Sequence, residues 1–252
     1  MSGQPTSQRF LAALELPVGA RQSTRIAKKI LADQAAANSL DRRLIEQGLD
    51  DVVWAGVLKP TTIAVPAFVD EKRDWGEIAI ITLSVRDSVD PMRIASLLHK
   101  AIPYPLLLVA DTKSGLQISC ANVRRAINNE SKRVSDTPLV ATILSGSMVE
   151  PFIAAWALPN LPATNMAILY GAFVARLESW LAAELTGRWD HGDSEGAIIR
   201  RREALMEHKI LVSEAARLKK LAARARAMRD RVELNGKVQN CLQRLEVVKA
   251  KL

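Results

Sequence analysis

Residues 76–120 read GEIAIITLSVRDSVDPMRIASLLHKAIPYPLLLVADTKSGLQISC, and this stretch decides the fold. The segment 76–86 carries a run of β-branched residues after Gly76 and predicts a strand. Residues 88–102 predict a helix: Asp90 suits the N-cap, Pro91 suits the first turn, and Ile94, Leu97 and Leu98 share one face. YPLLLVAD at 104–111 is a continuous apolar run of strand length, DTKSG at 111–115 is a turn, and 115–123 alternates and should hairpin back. Short connections of this kind should bury Leu97, Leu106, Leu108 and Ile118 together.

On the N-terminal side, RQSTRIAKKILADQ (21–34) and NSLDRRLIEQGLDDV (38–52) read as helices, the second capped by Ser39 or Asp41. KPTTIAVPAF (59–68) reads as extended, with Thr61, Thr62, Ile63 and Val65 β-branched and Pro66 at a strand end. On the C-terminal side, RRAINNESKRVSD (124–136) reads as a polar connection and PLVATILS (138–145) as a strand. Helices are expected at about 150–157 and 164–185. This order gives an α+β fold: a mixed β-sheet covered by helices on one face.

With 252 residues, 48% apolar, 25% charged and 4% aromatic, the chain suits one large domain or a domain with an appendage. That composition excludes collagen, wholesale disorder and a disulfide scaffold. Cys120 and Cys241 lie far apart in sequence and are expected as reduced thiols in a cytoplasmic protein. The N-terminal apolar run FLAAL is too short for a secretory segment. Residues 151–175 hold no charge, but Pro159, Asn160, Pro162 and Asn165 divide them into two helical pieces, so no membrane span is expected.

The net charge of +8 is unevenly placed. From Glu195 to Leu252 there are 15 Lys/Arg and 7 Asp/Glu, and the remaining 20 basic and 20 acidic residues cancel. The chain therefore divides into a body at 1–187, a glycine-rich linker at 188–196 and a basic helical arm at 197–252. The arm holds no proline and reads as a long, coiled-coil-like helix. In heptad register, Leu211, Leu218, Ala225 and Val232 take position a, and Glu214, Leu221, Met228 and Asn235 take position d. Leu211, Leu218, Leu221, Met228 and Val232 then form an apolar seam for a partner protein. Gly236 should force a register slip or a hairpin at Asn235-Gly236. Arg217, Lys220, Arg224, Arg229 and Arg231 flank the seam, where they suit an acidic partner or a phosphate backbone and repel a second copy. Such a face is also ordinary on a solvated helix. Yet seven of the fifteen residues 217–231 are basic and only Asp230 opposes them. No aromatic residue follows Trp189, so nucleic-acid binding here would be sequence-blind.

Reactive constellations are few. His99, His191, His208 and the two cysteines show no metal-ligand spacing, and the one local cluster, His191 with Asp190 and Asp193, lies in the linker. Neither GxxxxGK[ST] nor GxGxxG occurs, GSMVEP (146–151) is not a nucleophile elbow, and Lys59 reads as a turn lysine. Asp111 and Lys113, with Asp87 or Asp90 nearby, are the sharpest enzymatic candidate, since a nuclease needs carboxylates at strand ends and a lysine. Asp, Lys, Ser and Gly also make an ordinary hairpin turn. No cofactor and no metal are expected.

LPVGARQSTRIAKKIL (16–31), DDVVWAGVLKPTTIAV (50–65), LLHKAIPYPLLLVAD (97–111) and MRDRVELNGKVQNCLQRLE (228–246) follow one another in order. Together they resemble a bacterial family, domain-of-unknown-function family 4391, from about Leu16 onward. The segments at 102–105 and 232–235 are the most specific marks. The resemblance implies genes beside helicases and DNA methyltransferases of restriction-like systems, and carries no site residues. The expected function is a non-enzymatic accessory protein docking a larger nucleic-acid-processing protein. Its rivals are a metal-dependent nuclease at Asp111 and Lys113 and a free-standing, sequence-nonspecific nucleic-acid-binding protein.

Overall fold

The computed structural model describes residues 4–87, 89–102, 104–126, 129–192 and 194–252. Ser88, Pro103, Ile127, Asn128 and Asp193, which the sequence reading placed in a helix, the 102–105 mark, a polar connection and the linker cluster, lie outside these residues. Along the chain run α1 (Ser7–Ala13), β1 (Arg21–Arg25), α2 (Lys28–Ala35), α3 (Ser39–Gly48) and β2 (Leu49–Leu58). Then follow α4 (Pro60–Ile63), β3 (Phe68–Val69), β4 (Asp74–Trp75), β5 (Ile78–Val85), α5 (Pro91–Ala101), β6 (Leu106–Thr112) and β7 (Gly115–Cys120). The remainder comprises β8 (Val123–Ala126), β9 (Asn129–Ser135), β10 (Leu139–Ile143), α6 (Val149–Ala154), α7 (Met166–Thr186), α8 (Glu195–Arg224) and α9 (Met228–Lys249). Two units partition the chain, residues 1–177 and 178–252, with the division inside α7.

In the first unit a mixed six-stranded sheet runs β1-β2-β5-β6-β7-β10. β5 and β6 pair in parallel and the other neighbours in this sheet are antiparallel. A parallel pair needs a crossover, and α5 supplies it. The Asp90 side chain accepts the Met92 N–H and Pro91 occupies the first turn, so this helix starts where its sequence says. Between β6 and β7 the chain turns at Gly115, whose φ is +126° and where a Cβ would meet the Ile143 carbonyl oxygen at 2.6 Å. Only glycine fits there.

The central strands are buried on both faces, which corrects the one-sided arrangement. Ala79, Ile81, Leu83, Leu106, Leu108 and Ala110 pack with Leu31, Ile45, Ile94, Leu97 and Leu98 of α2, α3 and α5. Ile80, Leu107 and Val109 alternate to the opposite face and are equally buried. An aromatic cluster of Phe10 (α1), Phe152 (α6), Trp156 and Phe173 (α7) gathers helices outside that first group. Ile118 is buried too, but it stands opposite Val109, so it lies across the sheet from Leu97, Leu106 and Leu108.

Four local readings are overturned. Arg21–Arg25 is an edge strand exposed at all five residues, so no apolar alternation marks it. Leu49–Leu58 is a strand, where Val52, Val53 and Trp54 override the helical period that leads into them. Pro60–Ile63 is a helical turn, because Pro60 takes the first helical position and Thr62 Oγ1 accepts the Lys59 N–H. The polar connection is the β8–β9 ribbon, held by the Arg125 N–H on the Lys72 carbonyl and by Trp75 Nε1 on the Val123 carbonyl.

α7 is long and apolar enough to cross a membrane, but 72% of its most apolar window is buried within the protein. In the second unit α8 and α9 pack antiparallel. Ala215 and Leu218 meet Val238 and Cys241, while Ala204 and Leu211 meet Val248. The arm is therefore a hairpin broken at Ala225–Ala227, ten residues before the expected place. Gly236 sits inside α9.

Candidate functional site

The strand-end candidate is occupied by structural bonds. Both oxygens of Asp111 accept from Ser7, Oδ1 from its N–H at 2.8 Å and Oδ2 from its hydroxyl, which ties the start of α1 to the end of β6. Lys113 Nζ lies 3.5 Å from Asp87 Oδ2, with both side chains mostly exposed. Among the described residues no three His, Cys, Asp or Glu side chains gather in one place. Lys59 pairs with Glu77 at 3.2 Å.

Buried titratable groups serve the core. His99 Nε2 and Ser119 Oγ are 3.0 Å apart, and burial pushes the imidazole pKa down to about 3, so the ring is neutral. Burial lifts the Cys120 thiol to about 12, far from a reactive thiolate. In the linker, His191 stacks on Trp189 with ring centroids 4.9 Å apart, and Asp190 accepts the Gly192 N–H. The linker cluster cannot be completed within the described residues, because Asp193 lies outside them.

The arm's residues fall into two groups. Leu211 and Leu218 are 4% and 5% exposed and face α9, so they hold the hairpin together. Leu221, Met228 and Val232 are 41%, 65% and 63% exposed. The five-residue seam is not assembled. Its upper part remains as three apolar side chains near the end of α8 and the start of α9.

The cations divide in the same way. Below the tip several have acidic partners: Arg217 grips Glu214 through two bonds of 2.8 and 2.7 Å, Lys237 meets Glu233, and Arg244 meets Glu207. The Glu214 contact pushes the Arg217 guanidinium pKa up by hydrogen bonding and charge. Around the turn, Lys219, Lys220, Arg224, Arg226, Arg229 and Arg231 are all exposed. Among the described residues none of these six makes an ion pair, although Arg231 Nη2 reaches Met228 Sδ at 2.9 Å. Asp230 is the one acid in that segment.

Helix ends account for only part of this cluster. A cation near the C-terminus of α8 is favoured by the helix dipole, whereas Arg229 and Arg231 in the first turn of α9 are disfavoured by theirs. Three like charges on α8, one in the turn and two on α9 repel one another as well. The arrangement gives no local stability and presents a compact positive knob. Sequence reasoning missed Lys219 and Arg226 as members. The density of seven basic residues in fifteen already contained both, but a single continuous helix puts Arg217 and Arg231 in one stripe instead of on separate helices.

A family model described as "Domain of unknown function (DUF4391)" matches residues 14–245. No curated protein and no solved structure matches the chain.

Proposed function

The chain belongs to this DUF4391 family, and from that premise we propose that it is a non-enzymatic, cytoplasmic accessory protein that binds nucleic acid through the tip of its α8–α9 hairpin. The observation that carries this reading is the set of six exposed cations at 219–231 with no acidic partner of their own. Exposed, unpaired charge suits a phosphate backbone, because each Lys or Arg can displace a condensed counterion without first breaking an ion pair. Residues 1–194, with equal numbers of basic and acidic side chains, add no comparable field. A bacterial defence setting, beside a helicase or methyltransferase, is the role in which such an accessory would serve. Leu221, Met228 and Val232 favour a second reading, in which the same tip docks an acidic, apolar face of that larger protein.

An electrophoretic mobility shift with random-sequence DNA tests the proposal. The full-length protein should retard DNA without sequence preference, and the triple change Arg224→Glu, Arg229→Glu, Arg231→Glu should abolish the shift. Equal retardation by the wild type and the triple variant would remove the tip from the function.

A further inference from the structure

The geometry points to double-stranded nucleic acid as the ligand of the hairpin tip, and this inference rests on the nucleic-acid reading above. The six cations occupy the last six residues of α8, the turn, and the first four residues of α9. At about 1.5 Å of rise per residue, each helical part is less than about 10 Å long. Because the chain folds back on itself, the two parts lie side by side and do not run end to end. Six positive charges thus share a footprint on the order of 10 Å along any bound polymer.

A duplex offers about one phosphate charge per 1.7 Å of axis, hence about six over 10 Å, and a single strand offers about half as many. Only the duplex matches the charge density of the knob.

The second argument is what the tip lacks. Single-strand binders gain much of their affinity from aromatic side chains on which bases stack. No Phe, Tyr or Trp follows Trp189, and the exposed apolar residues at the tip are Leu221, Met228 and Val232. Without stacking platforms an unpaired strand gains little beyond charge. A duplex keeps its bases stacked internally and needs only the backbone contacts that arginine and lysine provide.

The test is fluorescence anisotropy of the full-length protein with a labelled 20-base-pair DNA and with one of its strands, over a range of salt. The duplex should bind at least tenfold more tightly. Its log K should fall with log salt at a slope of about −5, near the limit for six released counterions. Single changes Arg224→Gln and Arg229→Gln, which keep the helices intact, should each make that slope shallower by about one. Equal affinity for duplex and single strand, or a slope shallower than about −2, overturns the duplex inference but leaves nucleic-acid binding standing. No binding to either DNA, with binding to polyglutamate instead, overturns both and assigns the tip to an acidic protein.

Discussion

The hydroxyl of Tyr170 lies 2.9 Å from the carbonyl oxygen of Leu106, although the tyrosine sits on α7 and the leucine opens β6. It is also 2.9 Å from the Ala121 carbonyl and accepts from the Ala121 and Leu106 N–H groups at 3.0 and 3.3 Å. One fully buried hydroxyl therefore joins the start of β6 to the residue after β7. Burial holds the phenol well above its ordinary pKa, so it remains a donor across the working range.

Tyr170→Phe should lower stability by about 2 kcal/mol, since it removes a donor and an acceptor from a buried site without changing shape. Thermal unfolding followed by circular dichroism checks this. A melting temperature within one degree of wild type would mean that these backbone groups satisfy one another without the phenol.

His99 makes stability pH-dependent in a definite direction. Its folded-state pKa is pushed down to about 3 by burial, against an unfolded value near 6.5. Below pH 6.5 the unfolded chain takes up a proton that the fold refuses, so His99 lowers stability progressively down to about pH 3. The slope is up to about 1.4 kcal/mol per pH unit. Urea titrations at pH 7, 5.5 and 4.5 should show a shallower decline for His99→Gln, which keeps a polar group toward Ser119 and does not titrate. Identical declines would show that His99 is protonated in the fold.

Much of the fold was legible where burial and periodicity agree. The runs at Ile78–Val85 and Leu106–Thr112 are apolar because both faces of those strands are covered, and Asp90-Pro91 announces α5. The edge strand Arg21–Arg25 carried no such mark: it buries neither face, so its strand state comes only from hydrogen bonds to β2. The ribbon β8–β9 was hidden likewise by its polar residues. At the candidate site, charge density was legible and its shape was not. Ala225, Arg226 and Ala227 are good helix formers, and the turn among them is imposed by the packing of Leu211 and Leu218 on α9.

That packing separates two neighbouring leucines. Leu218→Asp places a carboxylate at a 5%-exposed position facing Val238 and Cys241, and should destabilise the hairpin by about 3–5 kcal/mol. Leu221→Asp, at a 41%-exposed position, should change stability by less than about 1 kcal/mol. Helical signal at 222 nm during urea unfolding distinguishes the two. Equal effects would put α9 elsewhere.

Glu178 and Arg202 form a second test within the same unit. The glutamate side chain is only 8% exposed and receives Arg202 Nε and Nη2 at 2.6 and 3.1 Å. The hydrogen bonds that Arg202 donates to Glu178, ahead of the attraction between their charges, push the arginine pKa up. Arg202→Met keeps the aliphatic stem but strands a buried carboxylate, and should cost about 2 kcal/mol, less than for a wholly buried pair because Arg202 is half exposed. The double variant with Glu178→Gln should recover part of that loss. A double-mutant cycle with no coupling would refute the pairing.

Gly236 gives the cleanest measure of whether the hairpin turns at Ala225–Ala227. Were the chain to break at Asn235-Gly236, glycine would be there for its conformational freedom, and alanine would strain the turn. In the structure Gly236 is an interior residue of α9, and a Cβ built on it meets nothing within 4 Å. Alanine there gains helix propensity without a clash, so Gly236→Ala should stabilise the hairpin by about 0.5–1 kcal/mol. The gain arises largely in the unfolded chain, which loses freedom that glycine would otherwise retain. Chemical denaturation followed at 222 nm reads it as a higher midpoint with an unchanged slope. A lower midpoint would place the turn at Gly236 and move Arg229 and Arg231 away from the tip. The six-cation knob would then not exist.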